Sequence, residues 1–359
     1  MSNIPKPINT NNIISSSDFR NKLKDYGLKI IKSLIDANAK FSNITSSDFR
    51  NILKDHGLKV VKSLVDAKIK LDEITLLDFR NILKEHGIEA AEVFAKNSIS
   101  ISKVTSSDFR NILKDHGLKS IKPLVNAKIK LDNVTTSDFR GILKEHGIEA
   151  AGLLISNKIS INKILSSDFK MILKDHGLKA IPFLVNSEIK LDNITASDFR
   201  GILQDHGIEA IALLTKAKVK LDNVSSENFR AIMQDHGPKA IEPLVDAKIQ
   251  LDSITSLDFR GILQDHGIEV AEILAKFKIK SNNITSNDFL GILGDHGVES
   301  AEILVLNQVR FNHLTSSDYQ KIIKEHGDEA IETLLNIGFN IKITELIFEK
   351  DLQTGRIEL

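Results

Sequence analysis

The stretch that decides the fold is Ile44-Thr-Ser-Ser-Asp-Phe-Arg-Asn-Ile-Leu-Lys-Asp-His-Gly57. It returns every 30 residues, and its Asp-Phe pair marks eleven copies in a single register. The pair and its variants fall at Asp18-Phe19, Asp48-Phe49, Asp78-Phe79, Asp108-Phe109, Asp138-Phe139, Asp168-Phe169, Asp198-Phe199, Asn228-Phe229, Asp258-Phe259, Asp288-Phe289 and Asp318-Tyr319. A fixed period of this length is typical of a solenoid, in which each unit buries its apolar face against its neighbours. We therefore predict an all-α fold, an α-solenoid of about eleven 30-residue helical-hairpin repeats.

Residues 44–73 show how one repeat is built. Thr45 is predicted to begin a first helix and to form a capping box with Asp48, in which Asp takes the place of Glu. Gly57 is predicted to end that helix, because glycine adopts the left-handed conformation without a steric penalty. The residues at helical spacing that share the core face are Phe49, Ile52, Leu53 and His56.

The rest of the repeat predicts a second helix from about residue 58 to residue 67. An extended return over residues 68–72 follows, too short for a strand of its own, with Ile69 and Leu71 under the next unit. Prolines at 123, 182 and 243 fall inside the second helix, so we expect that helix to be short or bent in repeats 4, 6 and 8.

The second helix comes in two versions. It begins Gly-Leu-Lys in repeats 1, 2, 4 and 6, and Gly-Ile-Glu in repeats 3, 5, 7 and 9. Equivalent helices of neighbouring repeats lie about 8–10 Å apart. Lys59 and Lys62 are therefore expected to face Glu89 and Glu92 of the next repeat.

Composition and the ends of the chain set the outer limits. Residues 1–13 are predicted to form a disordered N-terminal lead, residues 14–343 the eleven-repeat solenoid, and residues 344–359 a C-terminal capping segment. The chain has no Cys, which excludes disulfides and thiolate zinc sites. No signal peptide and no apolar run of membrane-spanning length is found. We expect a soluble protein without a membrane partner, either cytoplasmic or exported to a host cell.

The net charge of zero conceals a gradient along the chain. Residues 1–180 carry 30 Lys and Arg against 20 Asp and Glu, whereas residues 181–359 carry 18 against 28. Such asymmetry bears on association and not on the fold. A basic N-terminal half can meet an acidic protein, a nucleic acid or the acidic half of another copy, so head-to-tail self-association is one expectation.

The second half of the unit, Leu58-Lys-Val-Val-Lys-Ser-Leu-Val-Asp-Ala-Lys-Ile-Lys-Leu-Asp72, resembles the second helix of an ankyrin repeat and the run that follows it. The resemblance covers all eleven units, but the period is 30 instead of 33 and the Thr-Pro-Leu-His signature is absent. It implies an ankyrin-like stack of hairpins with shortened β-hairpin fingers, acting in protein–protein interaction.

The first half of the unit is also similar to the repeats of transcription-activator-like effectors, which read one DNA base per repeat. That resemblance places the base-reading pair at Asp55-His56 and its equivalents, with Lys59 near a phosphate. The pair is nearly constant along the chain, and half of the repeats carry Glu where the Lys is required. The residues that would read DNA under this alternative include Asp55, His56, Glu85, His86, Asp115 and His116.

A column of cations follows the Phe of repeats 1 to 9, is lost at Leu290 and Gln320, and forms a candidate partner-binding stripe. Its members are Arg20, Arg50, Arg80, Arg110, Arg140, Lys170, Arg200, Arg230 and Arg260. A second column lies one helical turn further on and includes Lys54, Lys84, Lys114 and Lys144. Both columns lie on the first-helix face, where a solvated charged surface is the ordinary interpretation.

Ten of the eleven His residues share one further column, at the predicted end of the first helix. Metal binding needs several ligands close to one ion, whereas copies one repeat apart are about 8–10 Å apart. We therefore interpret them as helix C-terminal residues, favoured by the helix dipole and bonded to neighbouring backbone. We predict no metal, no cofactor and no catalytic residue. The predicted function is a non-enzymatic scaffold that binds a macromolecule, with a protein favoured over DNA, along the first-helix face.

Overall fold

The computed structural model describes residues 13–186 and 189–337. Residues 1–12 of the predicted lead and the whole predicted capping segment lie outside the described residues. Within the described ranges, each repeat forms two helices, and the extended segments pair only through isolated bridges. The predicted fold class, an α-solenoid of helical hairpins, is confirmed.

The first helices are uniform, because each starts after a Thr, Ser or Leu and ends before a Gly. Ten of the eleven have a Thr or Ser at this N-cap, and in those ten its side chain accepts a hydrogen bond from the backbone N–H three residues later. Their bounds are Ser16–Tyr26 (α1), Ser46–His56 (α3), Leu76–His86 (α5), Ser106–His116 (α7), Thr136–His146 (α9), Ser166–His176 (α11), Ala196–His206 (α13), Ser226–His236 (α15), Ser256–His266 (α17), Ser286–His296 (α19) and Ser316–His326 (α21).

The second helices are shorter. Their bounds are Lys29–Asp36 (α2), Val60–Asp66 (α4), Glu89–Lys96 (α6), Ile121–Asn126 (α8), Glu149–Ser156 (α10), Ala180–Asn186 (α12), Glu209–Lys216 (α14), Ile241–Asp246 (α16), Val270–Lys276 (α18), Ser300–Leu306 (α20) and Glu329–Asn336 (α22). The proline prediction is confirmed in repeats 4 and 8, where 3₁₀ turns over Leu118–Ser120 and Pro238–Ala240 replace the start of the helix. In repeat 6 it is wrong, because α12 is seven residues long, as long as the proline-free α4.

The chain divides into two compact units. The first runs through residue 164 and includes residues 182–190, whereas the second contains residues 165–181 and continues from residue 191. In the first unit, α1, α3, α5, α7 and α9 pack in sequence, each against the next. In the second unit, α11, α13, α15, α17, α19 and α21 do the same. In most repeats, the second helix packs against the first helix of its own hairpin, and in repeats 4 and 8 the 3₁₀ turn before it makes this contact, so that a unit is a row of stacked hairpins.

The core of each repeat is built on the Phe of the Asp-Phe pair. Every Phe of this column from Phe19 to Phe289 is at most 2% exposed. It packs with the Ile and Leu of the same helix face and with the apolar stripe of the second helix, as Ile52, Leu53, Val61 and Leu64 show in repeat 2. The helical periodicity of the sequence therefore identified the core face correctly.

The return segments connect neighbouring repeats through their backbones. The Ile44 N–H donates to the Lys70 carbonyl at 2.9 Å, and the Asp72 N–H donates to the Ile44 carbonyl at 2.9 Å. These two bonds form a one-residue parallel bridge between Ile44 and Leu71, and eight further junctions have an equivalent bridge. As predicted, Ile69 is buried, whereas Leu71 is only half-buried.

The turn between the two helices depends on glycine more strictly than predicted. Gly57 has φ 68° and ψ −179°, which is not the left-handed helical region but the mirror image of extended backbone. Residues with a side chain essentially never adopt that conformation. The same positive φ recurs at the equivalent glycine of all eleven repeats, so that this position tolerates no other residue without strain.

Replacement of a column Phe should be the most damaging single change to the fold. Phe139 is fully buried, so Phe139→Ala should lower the free energy of unfolding by about 3–5 kcal/mol. Because it weakens the packing on both of its neighbours, we expect urea unfolding followed by circular dichroism to separate into two transitions. Leu153→Ala is the control, since Leu153 is 44% exposed and should cost less than about 1 kcal/mol. A single, unshifted transition for Phe139→Ala would contradict the prediction.

Candidate partner-binding surface

At most junctions, the Asp at the third position of the first helix joins two repeats. Thr45 accepts a bond from the Asp48 N–H at 3.2 Å, as a capping box requires. The other half of the box is absent, because the Asp48 carboxylate does not accept from the Thr45 N–H. Instead, Ser16 of the preceding repeat accepts from the Thr45 N–H at 3.0 Å and donates its hydroxyl to Asp48 at 2.6 Å.

This serine bridge recurs at six junctions. The pairs are Ser16–Asp48, Ser46–Asp78, Ser106–Asp138, Ser166–Asp198, Ser226–Asp258 and Ser256–Asp288, with hydroxyl–carboxylate distances of 2.5–2.6 Å. A direct capping box of the predicted kind occurs between Thr315 and Asp318. The predicted box is therefore wrong at the six bridged junctions, because a buried serine of the neighbouring repeat satisfies the helix N-terminus. The sequence signal that identifies this serine is its position directly after the N-cap residue.

The cation column predicted to bind a partner lies across the same junctions. Arg20 contacts Asp48 at 3.0 Å, and Arg50 contacts both Asp78 at 3.8 Å and Glu85 at 3.1 Å. Further ion pairs of the column are Arg80–Asp108, Arg110–Asp138, Arg110–Glu145, Lys170–Asp198, Arg200–Asp235, Arg230–Asp258, Arg230–Asp265 and Arg260–Asp295. Arg140 is also engaged. The Arg column is thus half-buried and neutralised by the acidic side chains of the following repeat.

Glycine makes room for these cations in the following repeat. A Cβ added at Gly141 would lie 2.2 Å from Cζ of Arg110, and a Cβ at Gly261 would lie 2.1 Å from Cζ of Arg230. Gly201 is crossed in the same way by Lys170. The side chain of the cation therefore lies flat on the next first helix instead of extending into solvent.

The second cation column behaves differently. Lys54, Lys84, Lys114 and Lys144 are exposed, and within the described residues none of them forms an ion pair. Lys24 in the first repeat is also exposed and unpaired there. All five belong to the first unit and occupy one position in five successive first helices. They form a row of free ammonium groups, which we call the lysine row.

In the second unit, three residues at the equivalent position contact the next repeat, whereas Lys324 in the last repeat is exposed and forms no ion pair among the described residues. Gln204 donates its amide to Asp235 at 2.9 Å, and Gln234 donates to Asp265 at 2.8 Å. Lys174 lies 3.7 Å from Asp205. The change from Lys to Gln along the chain therefore marks where free charge on the first-helix face gives way to bonded side chains.

The His column ends the first helices as predicted, at His56 and its equivalents in nine other repeats. The predicted bond to neighbouring backbone is not made by Nε2 of nine of these rings, which is buried and has no hydrogen-bond partner among the described residues. No group of three or more His, Cys, Asp or Glu side chains that could hold a metal ion occurs in the described part of the chain.

The residues that would read DNA under the alternative prediction are placed unevenly. Asp55 and Asp115 are exposed, but Glu85 is bonded to Arg50. His116 is half-buried, and Nε2 of His56 and of His86 is buried. A base edge would have to meet an exposed donor or acceptor, and the imidazoles of His56 and His86 present no exposed Nε2.

The predicted ion pairs between second helices are also absent. No side chain of Lys59 or Lys62 lies within ion-pair distance of Glu89 or Glu92, and all but Glu92 are strongly exposed. The two versions of the second helix therefore alternate in charge without pairing.

Comparison of the chain with family models, with curated proteins and with solved structures finds no match. No helix among the described residues is both long and apolar enough to cross a membrane. What the molecule shows by itself is a helical repeat protein in which the exposed cations of the lysine row form no ion pair among the described residues.

The serine bridge should contribute measurably to stability. Ser46 is 7% exposed, accepts from the Thr75 N–H and donates to Asp78. Ser46→Ala leaves both groups without their partner, and we expect a loss of about 1–3 kcal/mol in urea unfolding. The neighbouring Ser47 is exposed, so Ser47→Ala should change stability by less than about 0.5 kcal/mol. Equal effects of the two variants would show that the bridge is not stabilising.

The bridged carboxylate of Asp198 should make the second unit sensitive to acid. Burial raises the pKa of Asp198, but hydrogen bonds from Ser166, Lys170 and Thr195, with the charge of Lys170, outweigh it and lower the pKa below 3.8. A lowered folded pKa adds stability above the unfolded value of about 3.9 and loses it as the pH falls through the folded pKa.

Asp198→Asn should therefore destabilise the chain at pH 7 and have a progressively smaller effect below about pH 4. Urea midpoints measured for the wild type and the variant across this range check the prediction. Asp55→Asn is the control, because Asp55 is exposed and its replacement should not change the acid dependence. A penalty for Asp198→Asn that is as large at pH 3 as at pH 7 would contradict the assignment.

Proposed function

We propose that this chain is a non-enzymatic repeat scaffold that binds a protein partner along the first-helix face of its first unit. The observation that carries the proposal is the lysine row: Lys24, Lys54, Lys84, Lys114 and Lys144. These side chains are exposed and have no acidic partner within the described residues. The neighbouring Arg side chains, by contrast, form ion pairs with the following repeat. We therefore assign binding to the lysine row, and the Arg column stabilises the stacked first helices that carry it.

A partner for this row must supply acidic groups at the spacing of the repeats. Adjacent packed helices lie about 8–10 Å apart, and side chains seven residues apart on a helix are separated by about 10.5 Å along its axis. An acidic helix laid across the first helices would therefore place one carboxylate near each Lys. We propose that the partner offers an acidic, helical surface of this kind.

The ankyrin-like resemblance supports the same proposal in its finer form. We propose that the unit is an ankyrin-like hairpin whose finger is reduced to the return segment. In place of a β-hairpin, each return segment makes a one-residue bridge to its neighbour, as Ile44 does with Leu71. With so short a finger, the helix faces carry the recognition, which favours the first-helix surface over the loops.

DNA reading receives less support from the geometry. Two of the imidazoles that would meet the bases have a buried Nε2, at His56 and His86. Glu85 is held by Arg50, and in the Arg column the charges that could neutralise phosphates are already paired. The first-helix surface therefore favours a protein partner over DNA.

The proposal is tested with helical peptides displayed on phage and selected against the wild-type protein. We expect enriched sequences to carry Asp or Glu at about every seventh position. Binding of a synthetic enriched peptide should weaken at least about tenfold in the variant that combines Lys54→Glu, Lys84→Glu, Lys114→Glu and Lys144→Glu.

The matched control changes Lys68, Lys128 and Lys158 to Glu, which are exposed cations of the same unit on the return segments. This control should retain peptide affinity within about twofold. Absence of acidic sequences among the enriched peptides, or equal losses in both variants, would overturn the proposal. So would retention of double-stranded DNA in a mobility gel with a base preference that persists at physiological salt.

A further inference from the structure

The second helices carry charges that the first-helix contacts leave unused. From repeat 2 to repeat 9, the first charged position of the second helix alternates in sign between neighbours: Lys59, Glu89, Lys119, Glu149, Lys179, Glu209, Lys239 and Glu269. The alternation fails in two places. Repeats 1 and 2 place like cations in adjacent hairpins, and repeats 9 to 11 place like anions there.

The basic stretch consists of Lys29, Lys32, Lys59 and Lys62, which we call the basic face. All four side chains are exposed, and none forms an ion pair within the described residues. The nearest acids on the same helices, Asp36 and Asp66, lie at the opposite helix end. Exposed apolar side chains accompany the cations, since Ile35 is 42% and Val65 is 36% exposed.

The acidic stretch lies on the second helices of repeats 10 and 11 and is called the acidic face. Its carboxylates are Glu299, Glu302, Asp328, Glu329 and Glu332, all exposed and without an ion pair in the described part of the chain. No Lys or Arg occurs in α20 or α22 to neutralise them. Leu306 is 71% exposed and Leu335 is 39% exposed on the same helices.

Two physical arguments join these faces. Like charges on neighbouring hairpins repel each other, and an oppositely charged surface removes that repulsion in both faces at once. Exposed apolar side chains on each face would also leave water on contact, which favours association. The two faces have opposite charge, the same residue positions and the same helix type, so that each is complementary to the other.

We propose that the acidic face of one molecule docks on the basic face of a second copy of this chain. This contact uses the second helices, so it is separate from the first-helix surface assigned to a protein partner. It turns the charge gradient of the sequence into a defined interface between unit 1 of one copy and unit 2 of another. Because two different surfaces meet, each molecule retains one free basic face and one free acidic face unless the assembly closes on itself.

The experiment is a charge exchange followed by sedimentation velocity over a range of protein concentrations. The basic-face variant combines Lys29→Glu, Lys32→Glu, Lys59→Glu and Lys62→Glu. The acidic-face variant combines Glu299→Lys, Glu302→Lys, Glu329→Lys and Glu332→Lys. We expect the wild type to self-associate at low salt and each variant alone to associate at least about tenfold more weakly.

An equimolar mixture of the two variants should recover association, because the reversed faces are again complementary to each other. Recovery also shows that both variants are folded. Far-UV circular dichroism checks this independently, and Lys→Gln and Glu→Gln versions, which add no repulsion, replace a variant that unfolds. Salt of about 0.5 M should weaken the wild-type assembly, since it shortens the Debye length to a few ångströms.

Three results would overturn the proposal: a wild type that stays monomeric at low salt, a single variant that still associates, or a mixture that fails to recover. The lysine-row variant separates this contact from the proposed function. It should self-associate like the wild type while losing peptide binding, and the basic-face variant should do the reverse.

Discussion

The structure depends on one repeated interaction, which the Asp carboxylate at the third position of a first helix makes with the preceding repeat. At a bridged junction, this group accepts bonds from the N-cap hydroxyl of its own repeat and from a buried serine of the preceding one. A cation of the preceding repeat also lies against it, as Arg20 does at Asp48. A helix N-terminus leaves backbone N–H groups without partners. Here a serine of the preceding repeat accepts a hydrogen bond from one of these N–H groups. Stability of a helix and stacking of repeats therefore rest on the same side chain.

This contact determines which charges are available on the surface. Arg has a planar guanidinium that can meet two carboxylates, and Arg50 and Arg110 each do so. Lys one turn further on has no acid in reach in the first unit and stays free in solvent. In the second unit, Gln204 and Gln234 take this position and bond the next repeat. A stripe of basic residues in the sequence thus separates into a structural column and a column free to bind.

The serine bridges do not recur in every 30-residue repeat, so the pattern of side-chain contacts has a longer period than the backbone. Serine is replaced by Leu76 after repeat 3 and by Ala196 after repeat 7, where no bridge forms. Glycine occurs at 141, 201 and 261, each in the repeat that follows a bridging serine. The cation of the preceding repeat lies against each of these glycines. Repeats 4 and 5, 6 and 7, and 8 and 9 are therefore each joined by a serine bridge. The two versions of the second helix follow the same phase.

The sequence by itself determined the number of repeats, the helical hairpin, the Phe core and the glycine turn, because these depend on local periodicity and on backbone conformations that few residues adopt. It could not determine the partners of the polar groups. Thr45 and Asp48 have the spacing of a capping box, yet Ser16 of the previous repeat completes it. Lys59 and Glu89 have the alternation of an ion pair, yet no pair forms. Hydrogen bonds and ion pairs need distances of a few ångströms between residues about 30 positions apart, and only the stacking of one hairpin on the next decides which side chains come within that distance.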